Sequence, residues 1–201
     1  MITLTQLALF LPAAFLVAMT PGANNLLAFT NGSRAGLVPA AKALTGRMAA
    51  FAVMIILVAL GLDALLRTSE LAFQILKWIG VAYLIYLGVR MWRADPEEAI
   101  PEARALARRE FLTAMGNPKA YLLFTAFLPQ FTQGTEAIAP QLLSLGAIYL
   151  AVEALAAIIW AGGGALLGAR ALTVARRRWL NRGAGGVLMV AAGGLAVTER
   201  R

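Results

Sequence analysis

Apolar residues fill long stretches of this chain and give way only at short clusters of charged and turn-forming residues. The runs lack an alternating polar face, so they read as helices that are apolar all round rather than as half-buried strands or amphipathic surface helices. A helix crosses the hydrocarbon of a bilayer in about 20 residues. Setting boundaries at the charge and turn clusters predicts spans over 6–31, 38–66, 71–92, 111–131, 141–167 and 180–197. The expected fold class is all-α: a polytopic membrane protein with six transmembrane helices in a single membrane domain, 1–201.

Composition agrees. Of 201 residues 60% are hydrophobic and 14% charged, with mean hydropathy +0.74, more apolar surface than a soluble core of this size can hide. Without Cys or His the chain has no thiol chemistry, disulfide or soft metal ligand, and no metal or cofactor is expected. The net charge of +8 fits orientation in the membrane better than nucleic-acid binding. Arg34 and Lys42 flank the first connection, Arg90, Arg93, Arg104, Arg108 and Arg109 the third, and Arg170, Arg176, Arg177, Arg178 and Arg182 the fifth. Basic residues stay cytoplasmic during insertion, so both termini are expected outside, although Arg200 and Arg201 pull the other way. The first residues, Met1 to Gln6, carry no basic segment, so the first apolar run is expected to be retained. Trp92 and Trp179 fall near the expected cytoplasmic boundary.

The connection 93–110 mixes both signs of charge with Pro96 and Pro101 and reads as a solvated cytoplasmic linker between two three-helix halves, 1–92 and 111–201. An odd number of spans per half makes the halves inverted repeats. Each opens with a break: Met19-Thr20-Pro21-Gly22-Ala23-Asn24-Asn25 in the first and Met115-Gly116-Asn117-Pro118-Lys119-Ala120 in the second. Proline removes a backbone donor and crowds the preceding turn, while Gly and Asn accept the bend. Freed backbone groups at membrane depth need protein or water to satisfy them, so paired breaks in opposed repeats point to a binding site between them. Thr20, Pro21, Gly22, Asn24, Asn117 and Pro118 are its first candidates.

Glu153 falls mid-span, where an acid costs about 2.5–3.5 kcal/mol by insertion scales; it is expected to face the bundle interior, be protonated or meet a cation, and it is the candidate for alternating protonation. Tyr149 and Trp160 share its helical stripe and are candidates to line the same cavity. Lys119 needs an anion, a carbonyl cage or water; it can meet a substrate carboxylate or form a static pair with Glu153. Lys42, Arg47, Asp63 and Lys77 lie nearer span ends and read as structural, Arg47 being the deepest. Glycine pairs such as Gly32-xxx-Gly36 and Gly164-xxx-Gly168 permit close helix contact or a homodimer. No Gly-rich loop ends in Gly-Lys-Ser/Thr, so uphill transport would need an ion gradient or a partner. Two rival classes are weaker. Inorganic-ion transport lacks a cluster of intramembrane acids, and a lipid enzyme lacks a constellation of acids, metal ligands or an activated nucleophile.

Over nearly its whole length the chain resembles the LysE/RhtB family of bacterial amino-acid exporters. The likeness rests on Thr20-Pro21-Gly22, on Asn31-Gly32-Ser33-Arg34-Ala35-Gly36, on the segment from Leu76 to Gly88, and most specifically on Gly116-Asn117-Pro118-Lys119-Ala120 followed by Phe127-Leu128-Pro129-Gln130-Phe131. Glu153 stands where some members resemble it with Asp, and Leu180-Asn181-Arg182 opens the last segment as in many relatives. Where the family commonly reads Pro-Gly-Pro, this chain has Ala23 after Gly22, which leaves that break less rigid. The resemblance implies export of an amino acid or close derivative across the bacterial inner membrane in exchange for protons, with membrane lipid as its surroundings.

Overall fold

The computed structural model describes residues 2–61, 70–93, 102–132, 137–169 and 174–197, and all regular structure among them is helical. Helix α1 spans Leu4–Met19 and opens with a capping box, in which Thr3 Oγ1 accepts from Gln6 N (3.2 Å) and Gln6 Oε1 accepts from Thr3 N (2.7 Å). It stops one residue before Thr20-Pro21, and α2, Ala23–Ala35, leaves at 63° to it. Gly36, at φ +83°, turns the chain into α3, Leu37–Ala59, a backbone conformation that side-chain-bearing residues resist. Helix α4 covers Glu70–Trp92 and α5 Ala103–Met115. After Gly116 comes α6, Pro118–Leu122, continued by a π turn over Leu123–Phe127 and a 3-10 turn over Leu128–Phe131. Helices α7, Ile138–Ala169, and α8, Val174–Ala196, complete the chain.

Helix α7, 32 residues long, is the spine, with α1, α2 and α3 packed along it; α3 also carries α5, and α4 pairs with α8. The larger core gathers Phe10, Phe51, Met54, Phe124, Leu145 and Tyr149. Within it Phe124 meets Phe51 (5.3 Å, 76°) and Tyr149 (5.7 Å, 88°) edge to face. A second core joins Leu84 and Leu87 of α4 to Leu188 and Ala192 of α8. Large apolar side chains such as Leu16, Leu60, Leu166 and Val190 are turned outward, the surface expected of a protein solvated by lipid. Among the described residues α3 and α7 are each long and apolar enough to cross a membrane, and α1 with α2 forms a third such element if counted as one bent span.

Helix contacts are closest where glycine removes the side chain. A methyl group on Gly32 would overlap the carbonyl of Ala161, one on Gly164 that of Phe29, and one on Gly168 that of Ser33, so α2 and α7 touch backbone to backbone. Gly46 lies in the same way against Ala107, joining α3 to α5. Gly32 and the Gly164-xxx-Gly168 pair, which the sequence offered for close helix contact or for a homodimer, are thus used inside the chain.

Two sequence expectations change. Residues 103–110, read as solvated linker, form the first two turns of α5: Arg104 and Arg108 face outward while Leu106, Glu110, Thr113 and Ala114 face inward. The expected span 111–131 is not one helix. It breaks at Gly116-Asn117 and loosens again before Pro129, which has no N–H to continue an α-helix.

Candidate functional site

Arg47 lies on the face of α3 that also buries Ala43, Ala50 and Phe51, and its side chain is 0% exposed. A buried guanidinium is tolerable only when its donors are all engaged. Here five hydrogen bonds match its five N–H groups. Nε and Nη2 fork onto Glu110 Oε2 (3.0 and 2.9 Å), Nη1 reaches Glu153 Oε1 and Asn25 Oδ1 (both 3.1 Å), and Nη2 also donates to the Asn24 carbonyl. The acids are held from their far sides: Asn31 Nδ2 donates to Glu110 Oε1 (3.0 Å) and the Tyr149 hydroxyl to Glu153 Oε2 (2.8 Å). Arg47 thereby joins α2, α3, α5 and α7 at one point.

The two breaks meet beside this hub. At the end of α1 the carbonyls left over by Pro21 are claimed by side chains: Asn25 Nδ2 donates to Ala18 O (2.7 Å) and Thr20 O (3.0 Å), and Lys119 Nζ to Val17 O (2.6 Å) and Thr20 O (3.0 Å). At the second break Asn117 caps α6, its Oδ1 accepting from Lys119 N (3.0 Å), and Tyr121 donates to Met115 O (2.8 Å). Amide orientations follow from these partners. Because Asn117 Oδ1 faces an N–H, its Nδ2 faces Asn24, whose Oδ1 accepts at 2.6 Å, and this turns the Asn24 NH₂ away. That NH₂ is buried without a hydrogen-bond partner among the described residues. Nor does any side chain cap α2, whose N-cap is Gly22. A small, partly open cavity lies here, lined by Gly22, Asn24, Asn25, Phe51, Asn117, Lys119, Ala120, Leu123, Tyr149 and Glu153.

Of the residues singled out from sequence, Gly22, Asn24, Asn117, Lys119, Tyr149 and Glu153 line this one cavity. Thr20 and Pro21 are exposed beside it, Thr20 contributing its carbonyl, and Pro118 sets the first turn of α6. Trp160 is not part of the lining. It packs edge-on to Phe29 (6.4 Å, 79°), because seven residues along α7 from Glu153 amount to a rise of about 10 Å. Lys119 takes the carbonyl cage rather than Glu153, and the partner of Glu153 is Arg47. Lys42 is exposed as expected of a span end; Asp63 and the Lys77 side chain lie outside what the structure describes. The sequence reads Arg47 as structural and shows Asn25 and Asn31 only within motifs, and it gives neither these nor Glu110 a place in the site. The available signal was the depth of Arg47, a full charge inside an apolar run that demands acids from elsewhere in the chain.

Apolar helices facing outward around an ion-paired polar centre, with a cavity where two helices break, are the architecture of a membrane transporter. The chain belongs to the LysE type translocator family, whose model matches residues 15–199. These are transporters, not enzymes. Among its relatives, an "Uncharacterized membrane protein" of Vibrio cholerae is 33% identical over 153 residues, 73% of this chain and 74% of that one. The "Homoserine/homoserine lactone efflux protein" of Salmonella typhi is 32% identical over 150 residues, 72% and 73% of the two chains, and its namesake in Salmonella typhimurium matches over the same extent. No solved structure matches the chain.

Proposed function

We propose that this protein exports a small zwitterionic amino acid of the homoserine kind, or a close derivative, across the bacterial inner membrane in exchange for protons. The observation that carries the reading is the pairing of unmet donors with an acid across one cavity. The Asn24 NH₂ and the uncapped start of α2 suit a carboxylate, and Glu153, with lone pairs beyond those used by Arg47 and Tyr149, suits an ammonium. Lys119 acts on the substrate indirectly, by holding the end of α1 through Val17 and Thr20. The name of the Salmonella relatives supports the substrate class.

Transport in this reading is alternating access between a first half, 1–92, and a second half that opens with α5 at Ala103, six spans arranged as inverted three-helix repeats around the cavity. Each half contains a broken helix followed by a long helix and a terminal one, α1/α2, α3, α4 and α5/α6, α7, α8, which is the element order such repeats require. A proton taken by Glu153 releases the ammonium and resets the carrier. The test is uptake of labelled homoserine, threonine, leucine and lysine into inside-out vesicles with and without an imposed pH gradient. Gradient-stimulated accumulation of homoserine is the expected outcome. No uptake of any of the four by folded, inserted protein would overturn the reading, and a Glu153→Gln variant that exchanges normally with unchanged pH dependence would remove Glu153 from coupling.

A further inference from the structure

Away from the cavity, a second polar cluster lies where α2, α4 and α5 pack together. Arg109 and Thr113 stand one turn apart on α5 and flank Glu110. Arg109 Nε and the fully buried Thr113 Oγ1 have no hydrogen-bond partner among the described residues. From α4 the Tyr83 hydroxyl lies beside Thr113 and Arg109, and Arg90, further along, donates to Tyr86 (3.3 Å). Arg90 is close enough to Arg109 for their like charges to repel. Glu110, the acid beside them, has its oxygens engaged by Asn31 and Arg47.

Unmet buried donors among converging cations describe a site for an anion. We propose that this cluster is an outer carboxylate site, where Arg109, with Thr113 and Tyr83, receives the acid group of the substrate at the arginine-rich end of the protein before the substrate reaches the cavity. The bias of Lys and Arg over the connections makes that end cytoplasmic, the side from which an exported solute arrives. Glu110 and Asn31 then link the outer site to Arg47 and the cavity. A carboxylate and the phosphate of an anionic lipid share the chemistry this site recognises, and the experiment separates them.

The proposal rests on the amino-acid reading above. Initial uptake of L-homoserine and of L-homoserine lactone, which has no free carboxylate, is measured in inside-out vesicles for the wild type, Arg109→Gln, Arg109→Lys and Thr113→Val. Vesicles are made of phosphatidylcholine alone or with phosphatidylglycerol. Arg109→Gln is expected to raise the half-saturating homoserine concentration about tenfold, the scale of one charge-assisted hydrogen bond, and to leave the lactone unchanged. Lysine should restore part of the loss, Thr113→Val should give a smaller loss, and the wild-type advantage should shrink in high salt. Equal losses for both solutes, or no loss, would overturn the proposal. An effect confined to vesicles with phosphatidylglycerol would reassign the site to a lipid phosphate. If the wild type moves neither solute, the amino-acid reading fails. The anion site is then judged in detergent by thermal stabilisation with acetate: a shift lost in Arg109→Gln keeps it, and no shift removes it.

Discussion

At the first break the chain turns through 63° with Gly22 as a bare N-cap, whereas at the second Asn117 folds its own oxygen onto the amide of Lys119. The carbonyl ends contrast too. The end of α1 is held by side chains from beyond it, Asn25 and Lys119, while at the end of α5 the Met115 carbonyl accepts from Tyr121 six residues on. One break is finished by its own neighbours, and the other depends on its opposite number and keeps its N–H end open to the cavity. Two similar Pro-containing motifs therefore do different work. The second is a fixed support; in the proposed function the first presents its donors to the substrate.

The largest test of this contrast is Arg47→Met. Arg47 binds the first break through Asn24 O and Asn25 Oδ1 and ties it to Glu110 and Glu153, and removing it leaves two buried carboxylates uncompensated. Breaking such a pair costs about 3–5 kcal/mol. The variant should be recovered poorly or unfold at much lower denaturant in detergent, and adding Glu110→Gln should restore part of the stability. A single variant as stable as the wild type would mean that the hub does not hold the first break.

Next comes the brace behind α2. A methyl at Gly164 overlaps the Phe29 carbonyl, whereas one at Gly162 meets nothing within 4 Å. Gly164→Ala should force α2 from α7 at a cost of about 1–3 kcal/mol, the range for overpacking. Gly162→Ala should be neutral or slightly stabilising, as alanine favours helix. Equal effects, read by thermal unfolding, would show that α2 has room to shift on α7.

Both breaks were legible in the sequence because Pro and Gly act on the backbone locally, wherever the rest of the fold lies. Lys119, Tyr149 and Glu153 were legible for a related reason: a polar group inside an apolar run must turn inward. What stayed hidden depends on how separate helices are rotated against one another. Nothing near Arg47 in sequence says that its acids lie 63 and 106 residues away. Glu110 was masked by Arg104 and Arg108, whose outward faces made the whole stretch resemble a linker, and only the spacing of Leu106, Glu110 and Thr113 betrays its buried side. Trp160 shows the converse error, since a helical stripe fixes a direction but not how far a cavity extends along it.

The open donor at the first break is probed by Asn24→Asp, a near-isosteric change that keeps an oxygen for Asn117 and replaces the unmet NH₂ by a second acceptor. The added buried carboxylate should cost stability, so thermal unfolding is read alongside, while half-saturation by homoserine should rise about tenfold or more as a carboxylate meets an acceptor where it had a donor. Uptake kinetics at unchanged protein level read this directly. Unaltered affinity would take the substrate carboxylate away from Asn24.

The smallest effect is expected at the second break, and it separates the two jobs of Asn117. Asn117→Ala removes both the cap on α6 and the bond to Asn24, and should cost about 1 kcal/mol, the usual worth of an N-cap. Asn117→Asp keeps an oxygen for the amide of Lys119 but gives up the donor that orients Asn24. If the second break is chiefly a support, the aspartate variant should be the more stable of the two yet bind homoserine less well than the wild type, because Asn24 is then free to turn its NH₂ from the cavity. Thermal unfolding and uptake on the same preparations decide it. Equal stability of the two variants would mean that the cap contributes nothing, and wild-type affinity in the aspartate variant would mean that Asn24 is aimed by something other than Asn117.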